Sequence, residues 1–285
     1  MASHSPSPLR ARLAVVGTAL LFSTGGAAIK ACALTAWQVA GLRSIVAAAV
    51  IAMAFPRARK RPTPATLAVG LGYATTLVTF VWANKLTTAA LAIFLQYTAP
   101  GYMLVLAPLL LKEPVGRSDV LRTGGALGGM LLLFAGTPGA SATAPDPTRG
   151  NLIAVVSGLA FAFTLVGLRW KGRQTEGDGS LDVVMWGNVI AFICCLPNMP
   201  TLSMTVTDAL VIGYLGVFQI GLAYVLLTYG MQHLPALEAT LLLLLEPTLS
   251  PAWTWWLQGE RMTLVSAVGG AVVILSSVAT RKADR

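Results

Sequence analysis

Apolar stretches about 20 residues long dominate the chain, and polar or Pro- and Gly-rich connectors separate them. A helix of about 20 apolar residues can cross the roughly 30 Å hydrocarbon core of a bilayer. Charged residues make up 11% of the 285 residues and hydrophobic residues 55%, whereas a soluble globular domain carries about 25% charged residues. So few charges could not wet the surface of a soluble enzyme. The sequence therefore predicts an all-α membrane protein.

Ten such stretches can be separated, and they leave no room for a folded domain outside the membrane. Their approximate bounds are 12–31, 37–55, 65–84, 88–111, 118–136, 150–170, 181–198, 207–229, 235–257 and 262–280. The stretches are continuously apolar and lack the alternating pattern of outer-membrane strands. This favours ten transmembrane helices.

The positions of Lys and Arg predict how the spans are oriented. With the N-terminus inside, fifteen of the twenty basic residues lie in inner segments and four in outer connectors, while Arg43 lies within a span. This bias predicts a multi-pass protein of the bacterial inner membrane with both termini cytoplasmic and the first helix uncleaved. The net charge of +9 then faces anionic inner-leaflet lipid. Membrane lipid, and not nucleic acid, is the expected partner of the basic residues.

Two apolar segments share landmarks at one constant offset of 147 residues. The landmarks are Ala89, Ala92, Leu95, Pro100, Leu110 and Glu113 in the first segment and Ala236, Ala239, Leu242, Pro247, Leu257 and Glu260 in the second. This predicts a repeat, with one five-helix unit at 1–136 and another at 137–285. Five spans are an odd number, so the second unit is inverted relative to the first. Alternating-access transporters are commonly built from inverted units around a central cavity, and the repeat therefore indicates transport.

Several motifs lie where the spans break or end. They are the Phe22-Ser23-Thr24-Gly25-Gly26 break followed by Lys30, the Lys112-Glu113-Pro114 end of the fourth span, and Glu246-Pro247 with Gly259-Glu260 in the ninth. This pattern resembles the EamA-type drug/metabolite transporter superfamily over nearly the whole chain, and within it the YddG-type bacterial exporters of aromatic amino acids. The resemblance implies an exporter whose substrate is an aromatic or neutral amino acid. An exporter of drugs, nucleotide sugars or other metabolites is the alternative.

Charged residues inside the spans are the first candidates for a site, because a charge at the bilayer centre costs about 2.5–3.5 kcal/mol. Glu238 and Glu246 lie eight positions apart in the ninth span, about 80° around a helix, so both are predicted to face one cavity. They are interpreted as carboxylates that titrate or bind an amine, or as members of an internal ion pair. Arg43 can bind a substrate carboxylate or pair with a glutamate.

Neutral polar and aromatic residues complete the predicted substrate cavity. The polar candidates are Thr24, Gln96 and Thr164, and the aromatic ones are Trp82, Tyr97, Phe163 and Tyr224. Rings of this kind can stack on an aromatic substrate, although lipid-facing or interfacial packing is the alternative for each. Pro100 and Pro247 are predicted hinges, because proline lacks the backbone N–H that a helix needs.

No catalytic, metal or cofactor motif accompanies these candidates. The three cysteines form no CxxC pair, and the sequence has two histidines and neither a GxSxG nor an HExxH motif. We therefore expect no cofactor, no metal and no enzymatic activity. A channel is the remaining alternative, and saturable flux that is stimulated from the opposite side would argue against it.

Overall fold

A computed structural model describes residues 8–135, 144–174, 180–199, 203–249 and 263–278. Within these ranges the chain is helical, with short connectors and no strand. The α-helices are α1 (Pro8–Ser23), α2 (Gly25–Ala31), α3 (Ala36–Ala54), α4 (Pro64–Leu86), α5 (Ala89–Gln96), α6 (Ala99–Leu106), α7 (Arg117–Ala135), α8 (Pro147–Gly172), α9 (Leu181–Cys195), α10 (Val206–Tyr214), α11 (Ala223–His233), α12 (Ala236–Leu243) and α13 (Leu264–Val278). Two π-helices, Ala107–Leu111 and Leu215–Leu222, continue α6 and α10.

Among the described residues, seven helical segments are long and apolar enough to cross a membrane, which confirms an all-helical membrane protein. They are Pro8–Ala31, Ala36–Ala54, Pro64–Leu86, Ala89–Leu111, Pro147–Gly172, Leu181–Asn198 and Val206–His233. Of the other three predicted spans, α7 carries Arg117, Asp119 and Arg122 in its first turns, and α13 has 15 residues. The ninth span passes out of the described residues after position 249. The count of ten stays a prediction.

Side-chain caps fix where many of the spans begin. Thr35, Thr63, Thr88, Asp146 and Thr205 each accept a hydrogen bond from a backbone N–H in the first turn of the helix that follows. The first N–H groups of a helix have no partner within the helix, so these caps stabilise the start of each span. The helix starts therefore lie within a few residues of those predicted from hydropathy.

The fourth and ninth spans are interrupted in the same way. Each begins with a short helix, α5 in the fourth span and α12 in the ninth, and then breaks. Both α5 and α12 have eight residues, and their first and last residues differ by the 147-residue offset. Each helix ends four residues before a proline, because Pro100 cannot donate to the carbonyl of Gln96, nor Pro247 to that of Leu243. Helix resumes as α6 after the first break and at 245–249 after the second.

The bundle has two ends, which we name by the elements found there. The basic end is where α1 begins and where α8 and α11 finish, and the far end is where α2 and α4 finish. In the interior α4 packs against α8 and α9, and α1 packs against α11. The helices α7 and α13 pack closely on each other.

The crossing of α7 and α13 depends on glycine. A Cβ atom on Gly269 would meet the backbone nitrogen of Leu133 and lie 2.6 Å from the carbonyl oxygen of Gly129. We expect Gly269→Ala to destabilise the fold by about 1–3 kcal/mol through overpacking, measured as a lower unfolding temperature in detergent. Gly270→Ala is the matched control, because its Cβ would lie 3.7 Å from the Cδ1 of Leu133. Equal unfolding temperatures for the two variants would contradict the prediction.

Candidate functional site

A small cavity, which we call the central cavity, lies inside the bundle beside the breaks in the fourth and ninth spans. It is lined by Phe22, Arg43, Thr76, Leu77, Phe80, Gln96, Tyr97, Phe161, Gln219, Ile220, Tyr224 and Glu246. Its volume is about 30 Å³, enough for roughly two water molecules. Ligand sites in proteins have volumes of about 300–1,000 Å³, so the cavity must widen before it can admit a metabolite.

Arg43 brings a positive charge into the central cavity from α3, and its side chain is 1% exposed. Its Nη1 donates to Oε1 of Gln219 and its Nη2 to the carbonyl of Leu77, both at 3.1 Å. Its Nε is buried and has no hydrogen-bond partner among the described residues. In the same part of the chain Arg43 forms no salt bridge, so the alternative pairing with a glutamate is not found there. A guanidinium held in one orientation with a donor to spare is suited to bind a carboxylate.

Glu246 brings a carboxylate to the same cavity and is 4% exposed. It follows the break at Leu244 and accepts a hydrogen bond from the hydroxyl of Tyr97. Tyr97 is the C-cap of α5, at the break in the fourth span. This hydrogen bond therefore joins the two broken spans at the cavity. Arg43 and Glu246 thus bring a guanidinium and a carboxyl group to the same cavity.

Aromatic rings form much of the remaining cavity wall. Phe22 and Tyr224 have ring centroids 5.2 Å apart, and Tyr97 and Phe161 5.9 Å apart in an edge-to-face arrangement. Phe80 also lines the cavity. Aromatic rings have a large apolar surface and favour stacked or edge-to-face contacts with other rings. The cavity therefore combines a guanidinium and a carboxyl group with an aromatic wall.

The structure brings half of the predicted substrate residues to the central cavity: Arg43, Gln96, Tyr97, Tyr224 and Glu246. Thr164 lies behind the wall, where its hydroxyl is 3.1 Å from that of Thr76. Thr24 lies at the break between α1 and α2, and its hydroxyl is 2.7 Å from that of Tyr214. Both threonines also donate to carbonyls of their own helices, Ala160 and Leu21.

Two predicted aromatic residues lie away from the central cavity. Phe163 is 46% exposed, whereas Phe161 is 1% exposed and lines the cavity. Residues two apart on a helix point about 200° apart, so only one of this pair can face inward. Trp82 lies near the end of α4, where its ring is 5.0 Å from that of Trp37 and the guanidinium of Arg149 lies 5.7 Å above it.

Glu238 does not share a cavity with Glu246. It lies in the first turn of α12, at the basic end, and forms a salt bridge of 2.8 Å with Arg12. Eight residues of helix rise about 12 Å, which places the two carboxylates at different depths. The angular argument from the sequence considered the direction of the side chains and neglected this separation.

Several lining residues were missed by the sequence analysis. Gln219 lies in the π-helix Leu215–Leu222, and its amide is a single polar group in an apolar run. The same reasoning that selected Gln96 would have found it. Thr76, Phe22, Phe80 and Phe161 gave no comparable signal, because threonine and phenylalanine are ordinary residues of membrane helices.

A second and larger pocket, of about 300 Å³, opens at the basic end. Its charged lining residues are Lys112, Glu113, Asp119, Arg122, Arg169, Arg173 and Glu238. Glu113 accepts a hydrogen bond of 2.7 Å from Nε of Arg169 and one of 2.8 Å from the backbone N–H of Ala236. Arg169 also donates to the carbonyls of Met231 and Gln232. Glu113 and Arg169 thereby hold the ends of four spans together.

Removing the charge of Glu113 should loosen the basic end. We expect Glu113→Gln to destabilise the protein by about 1–3 kcal/mol, since Arg169 would lose the carboxylate that compensates its partly buried charge. Glu238→Gln should have a smaller effect, because Arg12 is 36% exposed and exposed pairs contribute little. Thermal unfolding in detergent measures both, and the reverse order of stabilities would refute the assignment.

At the far end, hydrogen bonds to backbone carbonyls and amides join neighbouring spans. Lys30 donates to the carbonyl of Thr87 at 2.8 Å and Lys85 to that of Cys32 at 2.6 Å. Asp208 accepts from the backbone N–H of Ala33 at 2.9 Å. These contacts join the end of α2 to the end of α4, and the connector after α2 to α10.

Comparison with known proteins places this architecture. A model of the EamA-like transporter family matches the chain twice, over residues 9–135 and 148–281. The chain belongs to the EamA-like transporter family. The seven apolar helices are thus parts of a membrane transport protein. The substrate of this EamA-like transporter is accordingly a small molecule.

Relatives of this EamA-like transporter carry no assigned substrate in their names. An uncharacterized transporter of Archaeoglobus fulgidus is 28% identical over 75% of this chain and 75% of its own length. The uncharacterized transporter YdfC of Bacillus subtilis is 29% identical over 74% of this chain and 69% of its own. One solved crystal structure superposes with a TM-score of 0.79 at 19% identity, covering 95% of this chain and 96% of that one. At that identity the superposition shows the fold alone.

Proposed function

We propose that this transporter exports aromatic or neutral amino acids from the bacterial cytoplasm by alternating access. The observation that carries the proposal is the central cavity, which holds Arg43 and Glu246 between aromatic side chains. A guanidinium can bind the α-carboxylate and a glutamate the α-ammonium, while Phe80, Phe161 and Tyr224 contact the substrate side chain. Gln96 supplies a further polar contact.

The proposed architecture is ten spans in two inverted units, 1–136 and 137–285. The equal lengths and the 147-residue offset of α5 and α12 support it, as do the two ranges matched by the family model. Both breaks lie beside the central cavity. Transporters of this kind place their sites at the middle of the membrane, where interrupted helices meet.

Transport requires the central cavity to open towards each side in turn. In the proposed mechanism the breaks before Pro100 and Pro247 act as hinges, and Thr24 marks a third break in the first span. The contacts of Glu113 and Arg169 close the basic end, and those of Lys30 and Lys85 close the far end. We assign the basic end to the cytoplasm with both termini, because Lys and Arg concentrate in cytoplasmic connectors.

Counterflow in proteoliposomes tests this function directly. The purified protein is reconstituted, and the uptake of radiolabelled Trp, Phe, Thr, Met and a cationic drug is measured with and without a proton gradient. Saturable amino acid uptake that rises with unlabelled amino acid inside the vesicle is the expected result. Movement of the drug without amino acid flux would keep the transporter and overturn the substrate, whereas non-saturable flux would indicate a channel.

A further inference from the structure

The side chain of Gln219 occupies the place at Arg43 that an anionic ligand would take. Gln219 is 5% exposed and Arg43 1% exposed, and the amide oxygen of Gln219 accepts from Nη1 at 3.1 Å. A neutral amide satisfies one donor of the guanidinium fork, and Nε stays without a partner among the described residues. Its two described acceptors, the amide of Gln219 and the carbonyl of Leu77, are both neutral, so the buried charge of the guanidinium is not compensated by an anion among the described residues.

A carboxylate would satisfy the guanidinium better than the amide does. It offers two oxygens in a plane and can bind two N–H groups at once, and its negative charge compensates the positive charge of the guanidinium, which a neutral amide cannot do. The central cavity is about 30 Å³ with Gln219 in its wall, which leaves no room beside Gln219 for a carboxylate-bearing metabolite at Arg43. Binding of such a ligand would therefore displace Gln219.

The other side of the Gln219 amide lies against the break in the first span. A Cβ atom on Gly25 would lie 2.6 Å from Nε2 of Gln219, so the amide is packed directly on the backbone where α2 begins. Gln219 itself belongs to the π-helix Leu215–Leu222, and π segments are frequent at functional sites. Moving this amide would remove the contact that supports the start of α2.

We propose that Gln219 is a placeholder for the carboxylate of the substrate: it binds Arg43 when the central cavity is empty and is displaced when a carboxylate-bearing substrate enters. This inference rests on the proposed function and deepens it, because it makes the carboxylate the group of the substrate that displaces Gln219 from Arg43. Gln219 is a positioning residue, which sets the affinity of Arg43 and couples its occupancy to α2. A cationic drug without a carboxylate would leave Gln219 in place.

Two substitutions at Gln219 should change affinity in opposite directions. Gln219→Met keeps the length of the side chain and removes the acceptor, so the dissociation constant for L-phenylalanine should fall about 10-fold. Gln219→Glu puts a permanent carboxylate beside Arg43 and should raise that constant about 10- to 100-fold. Without ligand, Gln219→Glu should unfold at a higher temperature than the unchanged protein, which also shows that the variant folds. Gln174→Glu, at an exposed position, is the matched control and should change neither property.

Three probes separate this inference from the proposed function. Ligand-induced shifts in unfolding temperature are measured with L-phenylalanine, 3-phenylpropionate and L-phenylalaninamide, of which the last lacks the carboxylate. The placeholder is supported if the two Gln219 substitutions change the affinity for L-phenylalanine and 3-phenylpropionate in opposite directions and L-phenylalaninamide shifts the unfolding temperature of neither variant. Phenylalanine flux with equal affinities in both variants would refute the placeholder and keep amino acid export. Gln219-dependent binding of phenylpropionate alone would keep the placeholder and refute amino acid export, and binding of no carboxylate would overturn both.

Discussion

Arg43→Met is expected to lower the rate of amino acid counterflow about 100-fold or more, the usual cost of removing one partner of a buried charge pair. The guanidinium is 1% exposed and forms its described hydrogen bonds to a neutral amide and a carbonyl. The substrate would therefore supply its anionic partner. Methionine is unbranched and apolar, so the packing of α3 should largely survive.

Arg43→Lys is the informative companion to this variant. Lysine retains the charge and loses the planar fork that binds two oxygens together, so we expect an intermediate rate. Initial rates of counterflow in proteoliposomes measure all three proteins at equal reconstitution. Full activity of Arg43→Met would contradict the proposal that Arg43 binds the substrate carboxylate.

Glu246→Gln is expected to reduce counterflow of phenylalanine by a similar factor, about 100-fold. The glutamine oxygen can still accept the hydrogen bond from Tyr97, so the variant isolates the loss of charge. Counterflow of 3-phenylpropionate, which has no ammonium group, should not fall. Tyr97→Phe is the control, because it removes the hydroxyl and leaves the carboxylate, and its effect should stay within about 10-fold.

A different outcome would give Glu246 a different role. A carboxylate that carries a proton in the transport cycle is needed for accumulation driven by a gradient and is dispensable for exchange of substrate across the membrane. If Glu246→Gln retains phenylalanine counterflow and loses stimulation by the proton gradient, Glu246 is a proton site and does not bind the ammonium. Loss of both activities supports binding.

The spans could be predicted from sequence because their causes are local. Apolar length and a capping residue define a helix such as α4, which begins after Thr63 and lies within two residues of the predicted 65–84. The breaks also have a local cause, the missing N–H of proline. Hydropathy alone could not show how many helices are long and apolar enough to cross a membrane. The helix α7, for example, lies in a predicted span but begins with several charged residues.

The direction of side chains was harder to predict, because it depends on irregular helix. A regular helix turns 100° per residue, and that rule fails at the break after Leu243 and in the π-helix that carries Gln219. The sequence selected Phe163 for the cavity where the structure has Phe161. Here the helix is regular, and the error arose because the sequence does not show which face of α8 packs against its neighbours. Residue type could identify Arg43, Glu246 and two aromatic residues, Tyr97 and Tyr224. The selection of the phenylalanines of the wall required tertiary structure.

The small volume of the central cavity has a consequence for the energy supply of the cell. Protons cross membranes along continuous files of water, and such a file would have to extend through roughly 30 Å of hydrocarbon. A space of about 30 Å³ admits roughly two waters, far fewer than such a file needs. If the proposed carrier returns empty in this form, its cavity would hold too few waters for a proton file, and the transport cycle would not dissipate the electrochemical gradient on which ATP synthesis depends.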